Sequence, residues 1–183
     1  RFTPDPASIN SATIGGIVMN NASGMSCSTH ANSYRMLDSV KIIFADGTIL
    51  DTGNADSRRE FAATHGDFIR RLEQLRDQTR NDPELCELIR RKYSIKNVTG
   101  LTILPFVEYD DPFDIIAHLI PGSEGTLAFL ANAVFRTGTI ATHSESALLL
   151  FPDVHKACEA VAAIKSTGAA AAAEFFDSRA MRV

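Results

Sequence analysis

The sequence predicts an α+β chain, and three observations carry that reading. A strand–Asp-Gly–strand unit lies at 40–50, helical patterning runs over 56–92, and a strand–helix–strand order follows at 146–176. The 183 residues are 45% hydrophobic and 22% charged, an ordinary globular balance with length for one or two small cores.

Residues 9–24 alternate small, apolar and Gly positions, and predict a strand or turn region with close backbone approach. Residues 40–45 (Val-Lys-Ile-Ile-Phe-Ala) predict a strand, Asp46-Gly47 a two-residue hairpin turn and 48–50 the return strand, which Gly53 ends. Residues 56–80 predict one helix. Phe61, Phe68, Ile69, Leu72 and Leu75 fall near one face of it, and Arg58, Arg59, Arg70, Arg71 and Arg76 over much of the rest. Those arginines fit either an anion-binding face or a solvated helix surface. Asp82-Pro83-Glu84 is an N-cap and first turn, which predicts a second helix over 83–92.

Asp111-Pro112 opens a helix over 113–119 that stops at Pro121-Gly122. Residues 127–135 are apolar, with β-branched and aromatic content, and predict a buried strand. Residues 146–151 predict a further strand, and Asp153 caps a helix through Lys165 with Gly168 just past its end. The alanine run 169–173 is helical by propensity, but it follows a glycine stop, and the strand–helix–strand order favours a strand over 170–176. A boundary near Thr137-Gly138-Thr139 divides the chain into domains 1–137 and 138–183. There are no internal repeats.

The net charge of −4 gives no basic face for nucleic acid and no acidic tail. No apolar stretch approaches the ~20 residues that span a bilayer. No signal-peptide pattern opens the chain. It begins at Arg1 in mid-motif, which predicts a piece of a longer protein. Cys27, Cys86 and Cys158 are odd in number and far apart, without Cys/His metal spacing. They read as reduced thiols of a cytoplasmic protein. The histidines His65, His118, His143 and His155 share no spacing, so no metal site is assigned. Asn97-Val98-Thr99 matches a glycosylation sequon, read as coincidence without a secretory signal.

Two Gly-rich loops carry the chemistry. The first holds Thr13-Ile14-Gly15-Gly16 and Asn20-Asn21-Ala22-Ser23-Gly24, and the second Gly122-Ser123-Glu124-Gly125-Thr126-Leu127. Glycine lets the backbone approach a phosphate group, whose oxygens suit N–H donors. Taken alone, Gly15-Gly16 also fits a plain tight turn. Neither loop is a dinucleotide fingerprint following a strand, and the second lacks the Gly-Lys-Ser/Thr ending of a P-loop.

Together with Pro4-Asp5 and Asp46-Gly47, these loops resemble the second half of the FAD-binding domain of the vanillyl-alcohol oxidase / p-cresol methylhydroxylase (PCMH-type) flavoproteins, over essentially the whole chain. Lys96-Asn97-Val98-Thr99-Gly100 and Asp110-Asp111-Pro112-Phe113-Asp114 further resemble the branch that oxidises D-2-hydroxy acids such as D-lactate, glycolate or D-2-hydroxyglutarate. The resemblance implies FAD as cofactor. It places Thr13, Gly15, Gly16, Asn20, Asn21, Ala22, Ser23 and Gly24 along the FAD pyrophosphate and ring. It places Glu124, Gly125, Thr126 and Leu127 in the second FAD-contacting loop. Ala128 stands where the family has Gly, and Ser23 where Gly is common.

The resemblance also implies that the first half of the FAD domain precedes Arg1. It puts the catalytic His and the metal ligands beyond Val183, so no catalytic residue or metal ligand is assigned here. Residues 138–183 resemble the start of a ferredoxin-like substrate or cap domain, with Glu174 and Asp177 at the domain junction. Implied partners are a hydroxy acid substrate and a quinone, cytochrome or iron–sulfur electron acceptor, with no nucleic acid. The location is the cytoplasm, with a peripheral place at the inner membrane as an alternative. A cut domain exposes apolar surface, which predicts either association, as in a homo-oligomer, or partial disorder near Arg1. Cys27 and His30 are candidates for covalent flavin attachment or for simple packing, and Glu124 for a general base or a structural loop carboxylate. The competing readings are a non-catalytic scaffold that no longer holds flavin, or another enzyme on the same fold, such as an alkyl-ether lipid synthase or aldonolactone oxidase.

Overall fold

A computed structural model describes residues 1–27, 29–98 and 100–180. Thr99, within the Lys96–Gly100 segment and the sequon, lies outside the described residues, as do Ser28 and 181–183. The chain divides into two compact units, Arg1–Gly138 and Thr139–Val183.

In the first unit the elements run α1 (Ile14–Met19), α2 (Ser33–Met36), β1 (Leu37–Ile43), β2 (Ile49–Asp51), α3 (Ala55–Thr64), α4 (Gly66–Arg80), α5 (Pro83–Tyr93), α6 (Pro105–Glu108), α7 (Pro112–Leu119) and β3 (Phe129–Phe135). The strands form one antiparallel sheet in the order β2-β1-β3. This is an α+β arrangement of helices around a small antiparallel sheet.

Side-chain caps fix the helix starts. Asn54, Asp82 and Asp111 each accept a backbone N–H from the first turn, and Pro83 and Pro112 occupy positions where a missing N–H costs nothing. The core joins one sheet face to the helices through Leu37, Val40, Ile42, Leu50, Phe61, Leu72, Ile115, Ile116 and Ile120. A smaller cluster packs Tyr34 with Ile89 and Leu104.

Several sequence expectations are corrected. Of the strand or turn expected over 9–24, turns form at 9–11 and 20–21 with close backbone approach at Gly24, but no strand: Thr13 caps the helix α1 instead, its side chain accepting from Gly16 N at 3.1 Å. The 40–50 hairpin closes through three residues, not two. Gly47 N donates to Phe44 O at 2.9 Å and Phe44 N to Thr48 O at 2.9 Å, with Gly47 at φ +86° taking the left-handed position that ends such a turn. The helix expected over 56–80 breaks at His65, whose ψ of 33° separates α3 from α4 just before the weak helix former Gly66. On this pair Phe61 and Leu72 are buried, while Leu75 is exposed and Phe68, though partly exposed, packs edge-on against Phe44 and Phe61.

β3 forms, but not as a buried strand. It pairs with β1 on one side only, and Phe129 and Val134 lie exposed on the outward face of that edge.

The arginines of α3 and α4 are largely met by acids. Arg58 reaches Asp111 at 3.0 Å and Asp114 at 3.3 Å, tying α3 to the start of α7. Arg80 pairs with Asp110 and donates to the carbonyls of Phe106 and Tyr109 at 3.0 and 2.7 Å. Arg59 and Arg70 pair with Asp56 and Asp67.

His118 on α7 is buried. It stacks on Tyr109 at 4.1 Å, and its Nδ1 lies 2.8 Å from Asp114 O. Burial holds its pKa below the ordinary imidazole value, because the charged form loses water. A depressed native pKa means that the unfolded chain takes up the proton first. His118 therefore contributes stability above about pH 6.5 that is lost as the pH falls below it. Urea titrations at pH 7.5 and 5.5 check this: the pH-dependent loss should shrink in His118→Phe.

In the second unit Asp153 caps α8 (Val154–Ser166), accepting from Lys156 N at 2.9 Å, and Gly168 lies just past its end. The strands expected at 146–151 and 170–176 do not form among the described residues. Leu148, Leu149, Leu150, Phe175 and Phe176 are instead exposed. A strand exists only by pairing, and among the described residues of this unit no sheet accompanies α8 to receive these segments. The ferredoxin-like start of a cap domain is therefore not seen.

Candidate functional site

The first unit brings the two Gly-rich loops together at the C-terminal end of α1. Gly122 N donates to Val18 O at 3.2 Å, and Glu124 N to Met19 O at 2.9 Å. Asn20 Nδ2 donates to Glu124 Oε1 at 2.7 Å. Asn21 is buried, its Oδ1 accepting from Tyr34 N at 3.1 Å, and its Cβ lies 3.5 Å from the point a Gly122 side chain would occupy.

Each anticipated site residue has a definite place. Thr13 and Gly16 are exposed at the first turn of α1 and Asn20 at its end, with Gly15 half-buried between them. Ala22 N is held by Ile17 O at 2.9 Å, and Ser23 O accepts from Asp5 N at 3.0 Å. Gly24 closes the loop in a parallel bridge with Asp5. Glu124, Gly125, Thr126 and Leu127 are all exposed, and the Thr126 hydroxyl donates to Ser123 O within its own loop at 2.6 Å. No hydrogen bond among the described residues joins Thr13, Gly15 or Gly16 to the second loop. The structure thus unites Asn20, Asn21, Gly122 and Glu124, and leaves the first turn of α1 open beside them.

Three features suit a ligand with phosphate and hydroxyl groups. In the first turn of α1, Gly16 N is met by the Thr13 cap, and the N–H groups of Ile14 and Gly15 have no intrahelical acceptor. A Cβ on Gly15 or Gly125 would meet no atom of this chain within 4 Å, so packing does not require glycine at either place. One buried serine hydroxyl in each loop, Ser23 Oγ and Ser123 Oγ, has no hydrogen-bond partner. Such orphans are uncommon in native proteins.

Residues 1–53 match the family model of an FAD binding domain.

That match spans the whole first loop, β1 and β2; it indicates FAD binding and suggests an FAD-dependent oxidoreductase. No curated protein and no solved structure matches the chain. The donor set at the loops fits FAD, whose pyrophosphate takes backbone N–H groups and whose ribityl chain takes amides and hydroxyls. The cavity behind Asn21, lined by Asn32, Tyr34, Arg35 and Thr102, measures about 20 Å³. It has room for one water and cannot admit a flavin ring.

The two ambiguous side chains are clarified by their surroundings. Glu124 takes the Asn20 amide at a backbone φ of +51°, the geometry of a loop-fixing carboxylate. Cys27 is buried, its thiol directed at Thr3 O (2.9 Å) and Asp5 Oδ1 (3.2 Å). Burial, then the Asp5 hydrogen bond, push its pKa to about 11, so it is a neutral thiol and a poor nucleophile. His30 is exposed.

Sequence reasoning missed the segment 96–100 as part of this site. Lys96 Nζ donates to Gly24 O at 3.0 Å, and Gly100 O lies 2.9 Å from the position of a Gly122 Cβ. The segment touches both loops, and its only sequence signal was a resemblance to one branch of flavoproteins. At the helix below Asn21, the buried Tyr34 donates its hydroxyl to Glu108 Oε2 at 2.8 Å, and the half-buried Arg35 pairs with the same exposed carboxylate at 2.8 Å. No group of three or more His, Cys, Asp and Glu that would hold a metal occurs among the described residues. Nor is any helix among them long and apolar enough to cross a membrane.

Proposed function

We propose that this chain is the flavin-holding portion of an oxidoreductase that removes a hydride from a D-2-hydroxy acid. The observation that carries the reading is the meeting of the two Gly-rich loops beside an FAD-binding-domain match. FAD, when bound, supplies the hydride acceptor. Thr13, Gly15, Gly16 and Asn20–Gly24 hold its pyrophosphate and ring from one side, and Glu124–Leu127 complete the contact. Asn20 and Glu124 fix the distance between the loops, and Gly15 admits the phosphate to the backbone. The hydroxy acid class rests on the resemblance of 96–100 and 110–114 to that branch. The electron acceptor is a quinone, cytochrome or iron–sulfur centre. Residues 1–137 serve as the flavin domain, and 138–183 open a substrate domain.

The test is a titration of FAD into the chain, read by visible absorption and by quenching of flavin fluorescence. The wild type should bind. Gly15→Ala separates the cofactor role from packing. The position lies inside α1 with free space around it, so alanine should raise thermal stability by about 0.5–1 kcal/mol while weakening FAD binding. A Gly15→Ala chain that binds FAD as the wild type does would remove Gly15 from the site. If neither this chain nor a longer parent protein containing it takes up flavin, the oxidoreductase reading falls in favour of a scaffold.

A further inference from the structure

We infer that Lys96 is an oxyanion-binding residue of this site, taking either a diphosphate oxygen of the dinucleotide or the carboxylate of the acid substrate. The inference rests on the flavin reading of the loops and adds to it a charged group outside both of them.

Lys96 is held at the site. Its Nζ donates to Gly24 O at 3.0 Å, across 72 residues of sequence. The other end of its segment is pinned where Gly100 O packs 2.9 Å from the place of a Gly122 Cβ, so a side chain at 122 would displace it. Lys96 therefore meets the closing residue of the first loop, and Gly100 the opening residue of the second.

The ammonium also has unused capacity. It carries three donors, and the Gly24 carbonyl takes one. Lys96 is exposed and forms no ion pair among the described residues. The stretch 88–107 contains no Asp or Glu at all. Asp5 is the acid on the other side of Gly24; its carboxylate oxygens take the Ser26 hydroxyl and the Cys27 thiol, and it forms no ion pair with Lys96. The Cys27 thiol is neutral and offers no counter-charge. Apart from the Glu124 carboxylate, whose Oε1 is taken by the Asn20 amide, the loops offer neutral groups: N–H groups and hydroxyls. A dianionic ligand bound there needs a cation, and lysine, a compact point charge, serves phosphate and carboxylate oxygens alike.

The experiment is calorimetry on the whole chain with three probes: inorganic pyrophosphate, D-lactate and FAD. Wild type, Lys96→Met and Lys96→Arg are compared, with melting temperatures recorded for each. The expected result is that Lys96→Met weakens one of the two simple anions about tenfold and Lys96→Arg restores it, the charge-assisted bond being replaced in kind. Pyrophosphate as the affected probe assigns Lys96 to the cofactor, and D-lactate assigns it to the substrate. Unchanged anion binding in Lys96→Met overturns the inference, as does a wild type that binds neither anion. If FAD still binds in those cases, the flavin reading survives without Lys96. Conversely, Lys96-dependent pyrophosphate binding with no FAD binding keeps the oxyanion site and removes the flavin reading. A lowered melting temperature in both variants with intact anion affinity would mark Lys96 as a structural tie to Gly24 and nothing more.

Discussion

Gly24→Ala should be the most damaging single substitution in the Gly-rich loops, lowering folding stability by about 3 kcal/mol and abolishing FAD retention. Two independent constraints meet there. The backbone sits at φ +80°, a region that costs an L-residue about 1–2 kcal/mol. An added Cβ would also lie 2.1 Å from Asp5 O, a backbone atom with no room to retreat, because Asp5 N is bonded to Ser23 O at 3.0 Å. The bridge between Asp5 and Gly24 must open, carrying with it the Ser26 and Cys27 contacts to the Asp5 carboxylate and the Lys96 bond to Gly24 O. Against a typical domain stability of roughly 5–15 kcal/mol, that loss is large enough to read in a single urea titration. Gly15→Ala is the internal contrast: same residue type, same loop, open space and no strain. Equal melting curves for Gly24→Ala and wild type would show that the Asp5 bridge does not hold the loop.

The contrast between these glycines also measures how far the site could be read from sequence. Both loops were legible, because glycine runs with flanking Asn, Ser and Thr have few uses other than turns and close approach. Their juxtaposition was not. Asn20–Glu124 and Val18–Gly122 are contacts between distant segments, and no local pattern announces them. Helices with capping residues were read well: Asp82-Pro83, Asp111-Pro112 and Asp153 each start a helix where the sequence places one. α1 was missed because two glycines argue against helix, and what starts it there is the Thr13 cap. The strands at 146–151 and 170–176 failed for a different reason. Leu-Leu-Leu-Phe and Phe-Phe give the right composition, but composition does not supply a partner strand. β3 shows the intermediate case. It has a partner, yet only on one side, so apolar content correctly gave strand and wrongly gave burial.

Burial, not apolarity, sets the second large effect. Ile115→Ala should cost about 3–4 kcal/mol, with Ile115→Val costing about 1 and Phe129→Ala under about 0.5. Ile115 is 0% exposed on the inner face of α7, in one cluster with Val40, Ile42 and Ile116, and truncation leaves a void that the sheet cannot close. Phe129, by contrast, is 68% exposed despite its larger side chain. Urea midpoints at constant m-value check the order of the three variants, and a costlier Phe129→Ala would place β3 in the core after all. The same substitution probes how the core governs the site. α7 runs directly into Pro121-Gly122-Ser123, whose position is set by Val18 O and by the buried Ile120. A loosened α7 lets Glu124 drift from Asn20, so FAD affinity should fall in Ile115→Ala under conditions where the chain is still folded, and should be kept in Ile115→Val. Loss of flavin in step with the loss of core volume would mean that the second loop is positioned by packing beneath it. Unaltered affinity in a destabilised but folded Ile115→Ala would mean that the hydrogen bonds at Met19, Val18 and Asn20 hold the loop by themselves.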